Sequence, residues 1–375
     1  MEAIVVGAGS FGASLAWWLA RAGHDVTIVD QFAPGDPRAT SGGESRLIRC
    51  GHGDDADYTA SARRAWSLWG ELEAESGVEL VVRCGLVWFA HREDGWESAA
   101  HRTLSGLGIP VEWLSTPETA RLYPSFAGDD LTGALLEPEA GVVRAALAVQ
   151  TLAERAAAYG ARLERAVARP DGRAAVLDDG RRLEADVVVW ACGAWLGALF
   201  PGLVRLATTR QDLYFFDGGP SWATGRVPAW VDYDHAMYGT GDLDGLGAKA
   251  ATDAEGPPLA PEAELPAADP ANERRTRDYL ARRFPNLAAA PLAGSKTCRY
   301  ELSADSHFIA AEHPEHPGVW LLGGGSGHGF KHGPALAEQV AGALEGAALP
   351  ARFALRERVP GRSLRTAGSN PGRAI

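Results

Sequence analysis

The chain has 375 residues, 46% of them hydrophobic and 22% charged, with a formal net charge of −12. That length supports a large core and two domains, and the acidic balance argues against nucleic acid as a partner. No apolar run is long enough to read as a membrane-spanning helix. The four cysteines, Cys50, Cys84, Cys192 and Cys298, are scattered without a C-x-x-C pair, which excludes a zinc knuckle and argues against a disulfide framework.

The first thirty residues carry the strongest signal. An apolar run at 4–6 meets Gly7-Ala8-Gly9-Ser10-Phe11-Gly12, then a helical pattern, then Val26–Val29 closed by Asp30. This is the G-x-G-x-x-G fingerprint of a βαβ dinucleotide site. Gly7 permits the tight turn, Gly9 admits a pyrophosphate to the backbone, and Gly12 lets helix and strand pack closely. The helix N-terminus attracts the phosphates, and Asp30 can accept from a ribose hydroxyl. Because the motif begins so close to the first residue, no cleaved signal peptide is expected, and a cytoplasmic protein is.

A loop rich in Pro, Gly, Ser and Asp follows and ends in Arg46-Leu47-Ile48-Arg49. Residues 58–75 read as a helix with Ala62, Trp66, Trp69 and Leu72 on one face. Strands are expected at 86–89 and 111–114, a helix at 144–159, and strands at 162–167 and 174–177. Residues 186–190 read as a buried parallel strand ending in a tight turn at Cys192–Trp195. A helix is expected over 272–284. Finally Val319–Leu322 runs into a turn at 323–331 with five glycines, followed by a helix to Leu344.

Strand, glycine turn and helix thus recur near both ends. The expectation is an α/β protein: a discontinuous Rossmann-type domain over 1–80, 142–205 and 298–350, with an antiparallel-sheet α+β substrate domain from 81–141 and 206–297. Residues 351–375 form a basic tail, expected to be partly disordered. A nicotinamide enzyme usually completes its sheet in one block, whereas this chain delivers a second glycine turn some three hundred residues later. A glycine-rich turn at a helix start suits close contact with a flavin and stabilises its reduced, anionic ring.

In order along the chain stand Gly7–Ser10, Arg46–Arg49, Cys192–Trp195, Arg210-Gln211, Lys249, Cys298-Arg299-Tyr300, His307–Ile309, His313–His316 and Gly327–Lys331. With these motifs the chain resembles the monomeric sarcosine oxidase and N-methyltryptophan oxidase family, within the D-amino acid oxidase superfamily. The likeness spans nearly the whole length and is thinnest through 90–140 and 215–290.

The resemblance implies FAD, joined through a thioether from Cys298 to the flavin 8α-methyl. It implies cofactor contacts from Gly7, Gly9, Ser10, Phe11, Gly12, Asp30, Gln31 and Ser41. Further contacts fall to Arg46, Gly193, Trp195, Gly325, Gly327, His328, Gly329 and Lys331. Arg49 and Lys331 correspond to the pair that holds a substrate carboxylate, where a guanidinium fork and an ammonium suit a desolvated anion. Arg46 matches a residue against the flavin that supports Arg49. Lys249 matches the lysine that activates oxygen, and Tyr238 and Tyr300 match pocket tyrosines.

Two positions depart from the family. Asp253 and Gly42 stand where sarcosine oxidase carries histidines, which argues against sarcosine itself as substrate. His313 and His316, beside Pro314 and Pro317, read as an exposed hairpin turn, and no metal is expected. The implied activity is oxidation of a carboxylate-bearing secondary or cyclic amine to an imine, with O2 reduced to H2O2 by a monomeric enzyme. An FAD dehydrogenase of the same fold, a non-catalytic flavin-binding module and, more distantly, a nicotinamide enzyme stay open as alternatives.

Overall fold

The structure is a computed structural model and describes residues 1–356. The basic tail expected over 351–375 lies mostly outside these. Of its first residues, Arg352 is docked, reaching Asp55 and Asp57 at 2.7 Å each and lying 4.5 Å over the Tyr58 ring.

A six-stranded sheet takes strands from the beginning, middle and end of the chain. Its order is Ile309–Glu312, Val319–Gly323, Val187–Trp190, Glu2–Val6, Asp25–Asp30 and Arg162–Arg165. Every pair is parallel except the hairpin Ile309–Glu312/Val319–Gly323. That hairpin is closed by the turn carrying His313 and His316, whose rings stack at 4.5 Å. The central strands are apolar on both sides because both faces are covered. On one face pack the helices Ser10–Arg21, Ala145–Ala158 and Gly333–Leu344, with Leu15, Trp17, Val149, Leu152 and Val340 in one core. On the other, an antiparallel sheet spanning 168–183 sets Ala168, Ala175 and Leu177 against Ile4, Val6, Val29 and Val188.

The second large sheet has eight strands. From one edge to the other they are Leu292–Leu302, Ala207–Phe216, Ala248–Thr252, Met237–Asp242, Ala229–Asp232, Leu86–Ala90, Gly133–Glu137 and Glu112–Leu114. All pairs are antiparallel except Ala229–Asp232 with Leu86–Ala90. The helix Pro270–Arg283 packs Tyr279 and Leu280 into an aromatic core with Phe89, Trp222, Trp230 and Phe284. Trp222 and Trp230 therefore belong to this core rather than to a pocket, and Trp113 is on the surface.

The expected elements occur within a few residues of their sequence bounds: the long helix is Ala56–Ser76 and the late one Gly333–Leu344. Asp55 caps the long helix by accepting from the Tyr58 N–H, and Gly77 ends it at φ +70°. One contact fixes the nucleotide turn. Gly7 has φ +107°, and a Cβ on Gly12 would stand 1.8 Å from the Gly7 carbonyl oxygen.

Gly12→Ala is expected to destabilise the protein by about 3 kcal/mol or more through this overlap. Gly70→Ala, in the middle of the long helix with open space around it, should stabilise by about 0.5–1 kcal/mol. Denaturant melts of the two variants check the contrast.

Candidate active site

Two cavities meet at the ends of these sheets. The larger, about 320 Å³, runs along the C-terminal ends of the parallel strands, where doubly wound sheets bind ligands. Gly7, Gly9, Ser10 and Phe11 form its first wall, Asp30 and Gln31 the next, and Ser41 and Arg46 a third. Gly193, Trp195, Gly325, Gly327 and Gly329 complete it. Of the other sequence-expected cofactor residues, Gly12 lies behind the wall in the helix packing. His328 and Lys331 border the second cavity, and Cys298 lines neither.

The larger cavity suits FAD. Its glycines are where a side chain would intrude: a Cβ on Gly9 would lie 3.0 Å from Ser41 Oγ, and one on Gly193 3.1 Å from Glu301 Oε2. The first helix opens onto it with no acid in its first turn, so its dipole is left for a phosphate. Asp30 accepts from Ala8 N at 2.6 Å and Phe32 N at 2.7 Å. Burial nevertheless raises its pKa. Its carboxylate sits at the cavity wall, in place for a hydroxyl donor.

The second cavity, about 90 Å³, shares Arg46, Tyr300, Gly327 and Phe330 with the first. Arg49, Lys331, Lys249, Tyr238 and Asp253 border it. All of the expected catalytic cations are thus brought to one small space. Arg49 donates to the Gly51 carbonyl and lies 4.6 Å over the Trp88 ring. Lys331, in the single turn Phe330–His332 before the last helix, donates to His328 O at 2.8 Å. Burial pushes the pKa of both downward, and the Arg49 charge adds to the lowering at Lys331. Lys249 is buried and reaches Ser45 O and Oγ at 3.4 and 3.3 Å, with its Nζ 5.5 Å from the centre of the Tyr238 ring. Burial, reinforced by the Arg46 charge, lowers its pKa to about 8. Arg46 donates to the carbonyls of Ser45, Thr40 and Gly42, so it braces the 40–45 loop.

Tyr300 donates to Asp253 at 3.4 Å. Asp253 favours the charged form of both Arg49 and Lys331. Gly42 is packed so closely that a Cβ there would meet Asp36 O at 2.2 Å. Cys298 pairs across the sheet with Gln211. Burial raises its pKa, while Arg46 and Lys249 pull it down.

Several residues of this site escaped sequence reasoning. Glu137, buried at the end of its strand, accepts from Cys50 N at 2.7 Å, Gly51 N and Trp88 Nε1 at 2.8 Å. It also favours the cationic forms of Arg49 and Lys331. Glu301 accepts from Gly325 N at 3.2 Å and braces the late glycine turn. His52 and His332 meet at 3.2 Å; His52 bonds Cys50 O and His332 bonds Ser61 Oγ. Burial first, then the Lys331 charge, keeps both rings neutral. The only hint in the sequence was that Glu137 closes an apolar run.

A family model described as FAD dependent oxidoreductase matches residues 2–343, and the chain belongs to that family. It is an FAD-dependent oxidoreductase related to enzymes that act on CH–NH bonds. Among its relatives, the monomeric sarcosine oxidase of Streptomyces avermitilis is 30% identical, over 91% of this chain and 92% of that one. The N-methyl-L-tryptophan oxidase of Yersinia pestis is 27% identical, over 91% and 94%. The crystal structure of L-proline dehydrogenase from P. horikoshii shares the fold, with a TM-score of 0.81 at 20% identity over 92% and 94%. No helix among the described residues is long and apolar enough to cross a membrane.

The buried Lys249 gives a pH signature. Its folded pKa of about 8 lies below the unfolded value of about 10.4, so burying its charge costs stability in full below pH 8. That cost is relieved as pH rises from about 8 toward 10.4. In urea melts of the cofactor-free protein, the wild type is expected to gain stability relative to Lys249→Met across that window. Parallel pH curves would show that Lys249 titrates normally.

Proposed function

We propose that the enzyme oxidises the C–N bond of a small, carboxylate-bearing secondary or cyclic amine to an imine and reduces O2 to H2O2. The observation that carries this reading is the pair of cations, half-buried Arg49 and buried Lys331, bordering a pocket of about 90 Å³ that adjoins the larger cavity. Two desolvated positive charges side by side are costly, and a carboxylate between them offsets that cost. Gripping the acid at one end sets the C–H beside nitrogen toward the shared wall of Arg46, Tyr300, Gly327 and Phe330. Such orientation is worth several kcal/mol of barrier, on the order of 10⁵-fold in rate or more.

FAD held against the glycine turns at 7–12 and 323–329 would supply the two-electron acceptor for the hydride of the amine carbon and the electrons for O2. The pocket's task is to bind the amine uncharged, since its lone pair forms the C=N bond as the hydride leaves. The surrounding cations favour loss of the ammonium proton, so no dedicated base is needed. Lys249, cationic below about pH 8, is placed to stabilise negative charge developing on oxygen. Tyr238 and Tyr300 shape the pocket, while Asp253 gives it a charge that a histidine there would lack.

The reading includes a thioether from Cys298 Sγ to the 8α carbon of FAD. Forming it replaces the S–H and one C–H bond, and dioxygen removes the two electrons. Burial raises the Cys298 pKa, and the nearby Arg46 and Lys249 charges work against that rise, toward the thiolate. Residues 1–80, 142–205 and 298–350 form the FAD-binding domain in this reading, and 81–141 with 206–297 the substrate domain. The enzyme works as a cytoplasmic monomer.

Three measurements test it. Arg49→Met and Lys331→Met should each raise KM for an N-methyl or cyclic amino acid at least a hundredfold, and weaken carboxylate inhibitors in parallel. Unchanged inhibitor binding in both would remove the clamp. Lys249→Met should slow peroxide formation at least a hundredfold with little effect on anaerobic flavin bleaching. Dye reduction without peroxide in the wild type would instead identify a dehydrogenase. Acid-precipitated wild type should remain yellow, and Cys298→Ala should release its flavin.

A further inference from the structure

A second polar cluster lies on the far side of the small pocket. Leu86–Ala90 and Ala229–Asp232 run parallel, with Val231 beside Trp88, so their C-terminal ends deliver His91 and Asp232 to the same edge. The turn after Asp232 then brings back His235. His91 Nε2 lies 3.1 Å from Asp232 Oδ1, and His235 Nδ1 lies 3.0 Å from the same atom. One ligand atom from each of the three residues falls within 4.8 Å of the others. With metal–nitrogen bonds of about 2.0–2.1 Å, neighbouring ligands in a tetrahedral site sit ~3.3 Å apart. The two His–Asp separations already match that spacing, and the exposed ring of His235 is free to close the third.

The surroundings are those of a cation site. His91 turns its other ring nitrogen to Asp130, 3.6 Å away. Tyr279 donates to Asp232 Oδ2 at 2.8 Å, and partners of this kind orient metal ligands. Glu97 is 2% exposed, and its Oε1 has no hydrogen-bond partner among the described residues. Burial, with Asp234 and Asp232 adding to it, raises the Glu97 pKa to about 7. Four carboxylates, Asp130, Asp232, Asp234 and Glu97, thus face two guanidiniums: Arg283, 2.9 Å from Asp130 and 3.7 Å from Asp232 Oδ2, and Arg92, paired with Asp234 at 3.4 Å. The trio His52, His328 and His332 also clusters, but the adjacent Arg49 and Lys331 charges oppose a metal there.

We propose that His91, Asp232 and His235 bind a divalent transition-metal ion of the zinc class, through two imidazole nitrogens and one carboxylate oxygen. Imidazole with carboxylate selects such ions over magnesium or calcium. Water completes the coordination, and the ionised Glu97 balances its charge nearby. Asp232 and Tyr233 also border the small pocket, so the ion would fix one wall of it without entering the chemistry.

The test uses the full-length flavoprotein, stripped with a chelator and titrated with Co²⁺ and Zn²⁺. One ion per chain is expected, with visible Co²⁺ bands of a low-coordinate nitrogen–oxygen site and a Zn²⁺-dependent rise in Tm. His235→Ala, at an exposed position, should weaken binding at least tenfold while leaving flavin absorbance and circular dichroism unchanged. His91→Ala should abolish it, and His313→Ala/His316→Ala should leave it intact. Absence of Co²⁺ and Zn²⁺ binding in the wild type overturns the proposal. So does binding that His235→Ala does not alter, in which case the cluster is only a buried carboxylate neutralised by two histidines.

Discussion

The site is organised by the cost of keeping positive charge out of water. Lys331 and Lys249 are buried and Arg49 is half-buried, and the Arg49 charge adds to the lowering of the Lys331 pKa by burial. Such an arrangement survives only when the surrounding backbone over-determines it. Here Glu137 ties down the amides at 50 and 51, the Gly51 carbonyl takes the guanidinium, and the His328 carbonyl takes the ammonium. Trp69 then locks the Lys331 backbone by donating to its carbonyl at 2.9 Å, while stacking on Phe330. The hydrogen bonds that hold the Arg49 and Lys331 cations go to neutral carbonyls, while the Glu137 and Asp253 carboxylates nearby favour their charged forms.

The two large sheets divide this labour. The parallel sheet ends in amides and glycines, which accept a large polar cofactor because nothing protrudes from the backbone. The antiparallel sheet contributes long side chains, Lys249, Tyr238 and Tyr300 among them, to the small pocket. Arg46, on the short strand Ser45–Ile48, belongs to neither large sheet and borders both cavities. It stands between the larger cavity and the smaller one.

Much of the parallel sheet was legible in the sequence, because its information is local: an apolar run, a glycine spacing, an acid at the end of the next strand. Residues 187–190 and 319–323 could be read as strands for the same reason. The order of the eight-stranded sheet could not, since pairings such as Leu86 with Ala229 join residues far apart in the chain. Arg49, Lys331 and Lys249 were legible only through resemblance, for a lone cation in a loop reads as a surface charge. Glu137 was hidden because one acid in a strand has no periodic partner to reveal it. The histidines at 52 and 332 were hidden likewise, their meaning resting on a contact 280 residues apart in sequence.

The tight path of the loop at Gly42 limits how the adjoining wall at 39–41 of the larger cavity can change. Because the Asp36 carbonyl occupies the space a side chain would need, the missing imidazole at that position cannot be restored by substituting one residue. The whole turn from 36 to 42 would have to follow a different route. The course of this segment is therefore set by main chain rather than by any one side chain, and it can change only as a unit.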